Sequence, residues 1–419
     1  MRRTLALAPL ALLLALGCSG ESNPGGSLPT AGSSGSAGSP SSGGSGGAAA
    51  GSGGASGAGL PAGGASAGAS GSASAGMAGA SAGQGGGAGA DAGAGGTGGA
   101  AGSAGSAGSS GQGGGGTGGS SVQDPGTEGD GDHTINPPYT AAPESKVGAG
   151  VARGTLHPAI TLSSTQSAIY KADPGGKAFD RRLQVYVPNG YVEGSEAPFM
   201  VVQDGLSYVG RLTPVLDNLI ADGRLPKMIA VFVNPGPGDG PGSQRGREYD
   251  TVSDTYVTFI ETEILPKVEA DYRVRFTDDP EGRASFGCSS GGAAAFTMGW
   301  FRPDLYRRIL TYSGTFTNQQ SSTMYPHGAW EYHENLIPDN AAKPLRVFLQ
   351  VGQNDNGSTS PASGFRNWVL ANQGMARELK AKGYHYRFIY AMGAGHCDSG
   401  VISQTLPEAM LWLWRGYPR

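Results

Sequence analysis

One serine, one aspartate and one histidine of this chain have the types and positions that nucleophilic catalysis needs. Ser289 lies in the sequence GCSSG, Asp355 in NDNG and His396 in GAGHCD. A serine hydroxyl is a weak nucleophile at neutral pH unless an adjacent base removes its proton, and a carboxylate commonly orients a histidine base. We therefore interpret Ser289 as the nucleophile, His396 as its base and Asp355 as the acid.

The residues around Ser289 predict a sharp turn from a strand into a helix. Residues 283–286 read as a short strand and residues 292–300 as a helix. In such a turn the serine hydroxyl is raised above the sheet, and the N–H of Ser290, at the start of the helix, faces a developing oxyanion. The same G-x-S-x-G spacing recurs at 43–47 in a glycine-serine tract that cannot form this context. The alternative at Ser289 is a glycine-rich turn without chemistry.

Position relative to the predicted strands selects the partners of Ser289. Catalytic side chains collect at the carboxyl ends of parallel strands. Asp355 and His396 each follow a predicted strand, whereas His385 lies inside one and is interpreted as structural. The sequence NDNG around Asp355 also favours a turn, so the alternative is that Asp355 is only a turn residue. Asp398 is then the second candidate for the acid. The order serine, aspartate, histidine is that of the α/β-hydrolases.

Apolar runs and helical patterns alternate through residues 151–419, which we predict to form one domain. The predicted buried strands are 199–203, 228–233, 345–351 and 384–390, and the predicted helices are 212–220, 255–268, 367–382 and 405–414. This alternation predicts an α/β fold with a mainly parallel central sheet and helices on both faces. The formal net charge of −4 gives no basic surface for nucleic acid.

The amino-terminal part predicts export and a flexible tether. Residues 1–18 have a basic start, a short apolar run and a cysteine at the cleavage point, which is typical of a bacterial lipoprotein signal with Cys18 as the lipid-modified residue. Residues 19–150 are mostly Gly, Ala and Ser and predict a disordered linker. We expect anchoring to the bacterial envelope, with membrane contact only through the lipid on Cys18. Ordinary secretion is the alternative.

From about residue 155 to the end, the chain resembles the enterochelin-esterase-like (Fes-type, esterase D-like) α/β-hydrolases, a group close to the feruloyl esterases. The resemblance rests on short motifs spread over the whole predicted domain. They are DG at 204–205, REY at 247–249, GCSSGG at 287–292, RPDLY at 302–306, ND at 354–355, GH at 395–396 and LPEAMLWLW at 406–414.

The resemblance implies an esterase that acts on a small-molecule ester through an acyl-enzyme, with the three catalytic roles given above. It implies an oxyanion hole formed by the N–H of Ser290 and a backbone N–H at Gly205 or Leu206, and it requires no metal or organic cofactor. Two features depart from the family pattern. Cys288 stands where many relatives have a bulky residue, and no counterpart of the separate N-terminal domain of enterochelin esterases is found, which argues against a ferric siderophore as substrate.

Several further residues have two interpretations. Arg247 and Glu248, in a loop after the strand 228–233, are candidates for binding an anionic or hydroxyl-rich substrate, or they anchor that loop. Trp330 either lines the pocket or belongs to a small packed cap. An acyltransferase of the same fold, or a non-catalytic surface binding protein, is the alternative to a hydrolase. The oligomeric state is not predicted.

The three cysteines, at 18, 288 and 397, are too few for a disulfide scaffold. Cys288 precedes the proposed nucleophile and Cys397 follows the proposed base. The residue before a serine in such a sharp strand-to-helix turn usually points into the sheet, away from the loop that carries the histidine. We therefore expect two free, largely buried thiols. A Cys288–Cys397 disulfide is the alternative that an oxidising compartment permits.

Overall fold

The computed structural model describes residues 126–419. The predicted signal, Cys18 and most of the predicted linker lie outside this range. Between residues 126 and 419, no helix is both long enough and apolar enough to cross a bilayer.

Ten strands form one large sheet, and two short strands form a second. The strands are β1 (Gly131–Ile135), β2 (Thr155–Leu156), β3 (Ile160–Ser163), β4 (Asp180–Val187), β5 (Glu196–Ala197), β6 (Phe199–Gln203), β7 (Ile229–Val233), β8 (Arg275–Phe276), β9 (Arg283–Cys288), β10 (Arg308–Tyr312), β11 (Arg346–Gly352) and β12 (His385–Ala391). In the large sheet the order is β1-β12-β11-β10-β9-β6-β7-β4-β2, and β3 also pairs with β4. Strands β5 and β8 pair with each other.

Strands β1, β12, β11, β10, β9, β6 and β7 are parallel to one another, and β4 joins β7 antiparallel, with β2 and β3 antiparallel to β4. The predicted strands 199–203, 228–233, 345–351 and 384–390 correspond to β6, β7, β11 and β12 within one residue at each end. The α/β fold class with a mainly parallel sheet is therefore confirmed.

Helices connect the strands. The α-helices are α1 (Val209–Ala221), α2 (Gln244–Tyr249), α3 (Thr255–Phe259), α4 (Leu265–Tyr272), α5 (Ser290–Phe301), α6 (Ile337–Asp339), α7 (Trp368–Ala381) and α8 (Ser399–Leu413). A π-helical turn, Ile260–Ile264, joins α3 to α4, and another, Tyr332–Leu336, leads into α6. Helix α8 begins six residues before the predicted start at 405, because the Asp398 side chain accepts hydrogen bonds from the first free N–H groups, those of Gly400 and Val401.

The two faces of the sheet are covered by different helices, as the period of two along each strand requires. Met200 and Val202 of β6 pack in one cluster with residues of α1 and α8. Their neighbour Val201 packs in another cluster with residues of α3, α4 and α5. A third cluster joins α5 and α7 over β10, β11 and β12. The resulting three-layer arrangement is the predicted one.

The predicted linker extends too far toward the domain. Residues Gly131–Ile135 form the edge strand β1, which pairs in parallel with β12 along its whole length. The Asp130 carboxylate binds His385 Nδ1 at 2.8 Å and accepts from Trp412 Nε1 at 2.9 Å. The composition of this segment does not indicate a strand, because its residues are mostly polar, none is fully buried and its neighbours are Gly-rich. Residues 131–150 therefore belong to the domain rather than to the linker.

Strand order brings the candidate residues together. Strands β9, β10, β11 and β12 are neighbours and run in the same direction. Their carboxyl ends therefore lie at one edge of the sheet. The segments that follow these ends contain Ser289, Ser313, Asp355 and His396.

Candidate active site

Ser289 occupies the turn between β9 and α5 in a conformation that side chains rarely adopt. Its φ is 59° and its ψ is −132°. The surrounding chain compensates for this strain: Ser289 N–H donates to Tyr312 O at 3.0 Å, and Ser289 O accepts from Thr315 N–H at 3.0 Å. A side chain at Gly287 would collide with the backbone of Gly291, so glycine is required there for the strand and helix to approach each other.

Asp355 and His396 form a short hydrogen bond at the same edge of the sheet. The distance from His396 Nδ1 to Asp355 Oδ1 is 2.6 Å. The Asp355 side chain is fully buried, while that of His396 is 24% exposed, so the imidazole borders solvent and its partner does not. Asp355 Oδ1 also accepts from the N–H of Asn356 at 2.7 Å. The arrangement fixes the tautomer, because Nδ1 carries the proton toward the carboxylate and leaves Nε2 as an acceptor.

The Ser289 hydroxyl contacts Thr315. The two oxygens, Oγ and Oγ1, are 3.4 Å apart. Trp368 Nε1–H donates to the same Thr315 oxygen at 3.2 Å, which leaves the Thr315 proton free for Ser289. The Trp368 ring also meets the His396 ring edge to face, with centroids 6.1 Å apart. Hydrogen bonds between catalytic groups are often made only when substrate is bound, so this rotamer of Ser289 is compatible with a nucleophilic role.

Cys288 and Cys397 form a disulfide, which corrects the expectation of two free thiols. Their Cα atoms are 6.2 Å apart, within the range that a disulfide requires. Cys288 does point into the sheet face covered by α1 and α8, as expected. Cys397, however, has a φ of 47°, and this left-handed turn brings its side chain into the same cluster. The bridge joins the residue before Ser289 to the residue after His396.

Two backbone regions were expected to form an oxyanion hole, one at Ser290 and one at Gly205 or Leu206. The second differs from the expectation, because one of its two N–H groups is already hydrogen-bonded. Ser290 is the first residue of α5, so its N–H is one of the N-terminal amides that have no partner within the helix. The N–H of Leu206 donates to Asn234 Oδ1 at 3.0 Å and is therefore already engaged. Gly205 is buried against β7, where a Cβ would meet the Phe232 backbone.

A family model described as "Esterase: Putative esterase" matches residues 178–411, which is more than half of the chain. The chain belongs to the putative esterase family. The match covers β4 through most of α8 and includes Ser289, Asp355 and His396.

Among curated proteins, this esterase-family chain is 27% identical over 247 residues to the iron(III) enterobactin esterase of Dickeya dadantii strain 3937, covering 56% of this chain and 52% of that protein. The chain thus spans about half the length of this relative. Among solved structures, the enterobactin esterase of Shigella flexneri gives a TM-score of 0.46 at 21% identity, covering 62% of this chain and 59% of that one. A ferulic acid esterase of Anaeromyces mucronatus gives 0.49 at 20% identity, covering 66% and 97%.

The structure does not make Glu248 available to a substrate. Its side chain is fully buried and pairs with the equally buried Arg181 at 2.5 Å. It also accepts from Gly236 N–H and from Gln244 Nε2. Glu248 therefore anchors the loop from within, through Arg181. The neighbouring Arg247 is about half exposed and pairs with Asp173 at 2.8 Å on the surface.

Trp330 belongs to a packed cap. It is 6% exposed, its ring lies 4.5 Å from that of His333 and 5.7 Å from that of Phe365. Burial lowers the pKa of His333 to about 4, so this histidine is neutral in the fold. The second interpretation of Trp330, a packed aromatic cap, fits this environment.

Charged side chains surround the start of α5. Arg245 binds both oxygens of Asp204, at 3.0 and 2.8 Å. Burial opposes the charge of Arg245, but these hydrogen bonds outweigh it and raise its pKa. Burial also raises the pKa of Asp250 to about 7. The Ser290 hydroxyl and the charge of Arg245 lower this pKa, and the charges of Asp239 and Asp204 raise it further. Ser290 is outside hydrogen-bonding geometry, and neither Asp250 oxygen has a hydrogen-bond partner within residues 126–419.

In the described part of the chain, one group of side chains has the composition of a metal site. His327, Glu331 and Glu334 bring their ligand atoms within 4.8 Å of one another. The imidazole Nδ1 lies 3.3 Å from Glu331 Oε1 and 3.2 Å from Glu334 Oε2. Contacts of the imidazole with the two carboxylates account for these distances, so we assign no metal to the group.

A cavity of about 630 Å³ lies at the other end of the sheet from Ser289. Its lining includes Arg308, Arg346 and His385, the first residues of β10, β11 and β12. None of the candidate catalytic or substrate-binding residues lines it. Chemistry in this fold belongs to the carboxyl ends of the strands, so we do not place the ester site in this cavity.

Sequence reasoning missed Ser313, Thr315, Trp368 and Asn234. Ser313 and Thr315 directly follow β10, and Asn234 directly follows β7, so the strand-end criterion that selected Asp355 applies equally to them. Trp368 gives no such signal, because it starts α7 and reaches the site only through the packing of that helix.

Proposed function

We propose that this protein hydrolyses carboxylic esters through an acyl-enzyme formed on Ser289. The observation that carries the proposal is the 2.6 Å hydrogen bond between a buried Asp355 and a partly exposed His396, at the edge of the sheet where Ser289 is held in a strained turn. Membership of the putative esterase family supports the same reaction class.

The proposed reaction begins when the Ser289 hydroxyl rotates from Thr315 toward His396 Nε2. His396 takes the hydroxyl proton as Ser289 Oγ attacks the ester carbonyl carbon, and Asp355 stabilises the resulting imidazolium. The N–H groups of Ser290 and Gly205 hold the oxyanion, since the Leu206 N–H is engaged by Asn234. His396 then donates its proton to the leaving alcohol. Water, activated by the same histidine, releases the acid and restores Ser289.

The test is the turnover of a chromogenic aryl acetate by the purified protein and two variants. We expect a burst of the chromophore equal to the enzyme concentration, and Ser289→Ala should lower kcat by at least about 10³-fold. The matched control is Ser290→Ala, which keeps the backbone N–H and should retain most of the turnover. Near-normal turnover in Ser289→Ala, or its loss only in Ser290→Ala, would contradict the assignment of the nucleophile.

We propose a small-molecule ester as substrate. Because relatives carry the names enterobactin esterase and ferulic acid esterase, the panel should contain enterobactin and methyl ferulate beside aryl and sugar acetates. Adding glycerol to these reactions distinguishes the acyltransferase alternative: an acyl-glycerol product in place of free acid favours transfer.

We further propose that the protein is exported and held at the envelope by a lipid on Cys18. The support is the sequence pattern of residues 1–18. Producing bacteria fed labelled palmitate should yield labelled protein, and Cys18→Ser should remove the label and release activity from the membrane fraction. An unlabelled wild type in the soluble fraction would leave ordinary secretion as the explanation.

A further inference from the structure

The turn that follows β10 contacts Ser289, Asp355 and the loop that carries His396. Thr315 holds both the carbonyl and the hydroxyl of Ser289, as described above. Ser313, two residues earlier, donates its hydroxyl proton to Asp355 Oδ2 at 2.6 Å. Ser313 Oγ in turn accepts from the N–H of Cys397, the residue after His396, at 3.0 Å. One buried hydroxyl thus bridges the acid and the loop that carries the base.

We propose that Ser313 is a positioning residue of the ester site, acting on His396 through Asp355 and through the His396–Cys397 peptide; this rests on the proposed function. The two carboxylate oxygens of Asp355 have different hydrogen-bond partners. Oδ1 faces the imidazole, and Oδ2 receives the Ser313 proton. The torsion of an aspartate carboxylate is broad and roughly two-fold, so the backbone alone does not fix its plane. Ser313 fixes it.

The backbone at Ser313 is arranged for this contact at a local cost. Its φ of 47° lies in the left-handed region, where serine is disfavoured relative to glycine. Its N–H donates to Gln350 O at 2.7 Å, and the residue is fully buried. Glycine would fit the conformation better, so the presence of a side chain here points to a role for the hydroxyl.

The decisive variants are Ser313→Ala and Ser313→Gly, with Ser285→Ala as matched control. Ser285 is also fully buried, lies on β9 close to Ser289, and donates its hydroxyl to Ala295 O at 2.9 Å. We expect both Ser313 variants to lower kcat by roughly 10- to 100-fold with KM changed less than about threefold, because misplacement of a catalytic group by about 1 Å has effects of this size. Ser285→Ala should keep kcat within about twofold.

The glycine variant separates positioning from folding. Glycine relieves the left-handed strain, so Ser313→Gly should be at least as resistant to urea as Ser313→Ala while its kcat is equally low. The opposite outcome is that kcat falls in step with stability in all three variants, so that Ser285→Ala and Ser313→Ala lose the same kcat when they are equally stable. Ser313 would then have only a structural role, and the proposal would be overturned.

A spectroscopic measurement tests Ser313 without any turnover. The proton between His396 Nδ1 and Asp355 should give a downfield ¹H NMR signal in the Ser289→Ala protein. Adding Ser313→Gly should broaden or abolish this signal, whereas adding Ser285→Ala should leave it unchanged. An unchanged signal in the Ser313→Gly protein refutes the positioning role. If wild-type protein hydrolyses no ester, the proposed function fails, while the signal still decides the role of Ser313.

Discussion

Removing the Cys288–Cys397 disulfide should cost stability before it costs activity. The bridge spans 109 residues of sequence. In the chain-entropy account, a loop of about 100 residues corresponds to about 4.7 kcal/mol of lost entropy in the unfolded state, and measured effects are typically 2–4 kcal/mol. For a domain of this size, about 1 kcal/mol shifts Tm by roughly 2–4 °C, so Cys288→Ala/Cys397→Ala should melt roughly 5–15 °C lower.

The catalytic effect should be smaller, because other contacts also hold the His396 loop. Asn354 N–H donates to Ala394 O at 2.8 Å, Cys397 N–H to Ser313, and Asp398 caps α8. We therefore expect kcat of the double variant to fall by less than about 100-fold at a temperature where it remains folded. The assays are calorimetric melting and turnover of an aryl acetate.

A double-mutant cycle tests whether Cys288 and Cys397 act as one bonded pair. If the two sulfurs are bonded, Cys288→Ala and Cys397→Ala each remove the whole bridge, and the double variant loses little more than either. Additive losses would show that each cysteine acts alone. Mass spectrometry of the non-reduced wild type is the independent check: a linked peptide pair is expected, and alkylation of both thiols after unfolding without reductant would contradict the bridge.

Three further predictions concern stability. The folded state keeps a proton on Asp250 up to about pH 7, whereas the unfolded chain releases it near pH 3.9, so stability falls as pH rises between these values. Asp250→Asn should therefore raise the urea midpoint at about pH 8, and this advantage over the wild type should disappear below about pH 4. Glu248→Gln should destabilise by about 3–5 kcal/mol in urea unfolding because it leaves the Arg181 charge buried and unpaired, and a variant that also carries Arg181→Met should recover much of that loss. A chain starting at 126 should melt like the full-length protein, whereas one starting at 151 should melt lower because it lacks β1; equal melting temperatures would contradict the role of β1.

The sequence predicted the strands of the sheet interior well because each is a short, continuous apolar run. Strands β6, β7 and β11 are buried on both faces, and such runs need no knowledge of neighbours to be found. In β12 three of the seven residues are only partly buried. Strand β1 was missed for the opposite reason. It is an edge strand with the mostly polar sequence GDHTI, and it is stabilised by pairing with β12 near the far end of the chain.

The candidate triad depends on information of both kinds. Residue type, order and position after a strand were enough to select Ser289, Asp355 and His396. What they could not give is the contact itself, the 2.6 Å hydrogen bond between side chains 41 positions apart, or the rotamer that directs Ser289 toward Thr315. These depend on the strand order of the sheet, which the sequence does not state.

Local patterns of apolar residues, glycines and chain order were enough to predict the fold class, the sharp turn at Ser289 and the catalytic candidates. Which of these groups lie next to each other depends on the folded arrangement of the sheet and helices. In the fold, Glu248 is buried against Arg181, Cys288 is joined to Cys397 at the left-handed turn of Cys397, and Ser313 contacts both Asp355 and the N–H of Cys397. The physical reason is the same in each case: these contacts join side chains whose separation is set by sheet order and helix packing, not by neighbours in the chain.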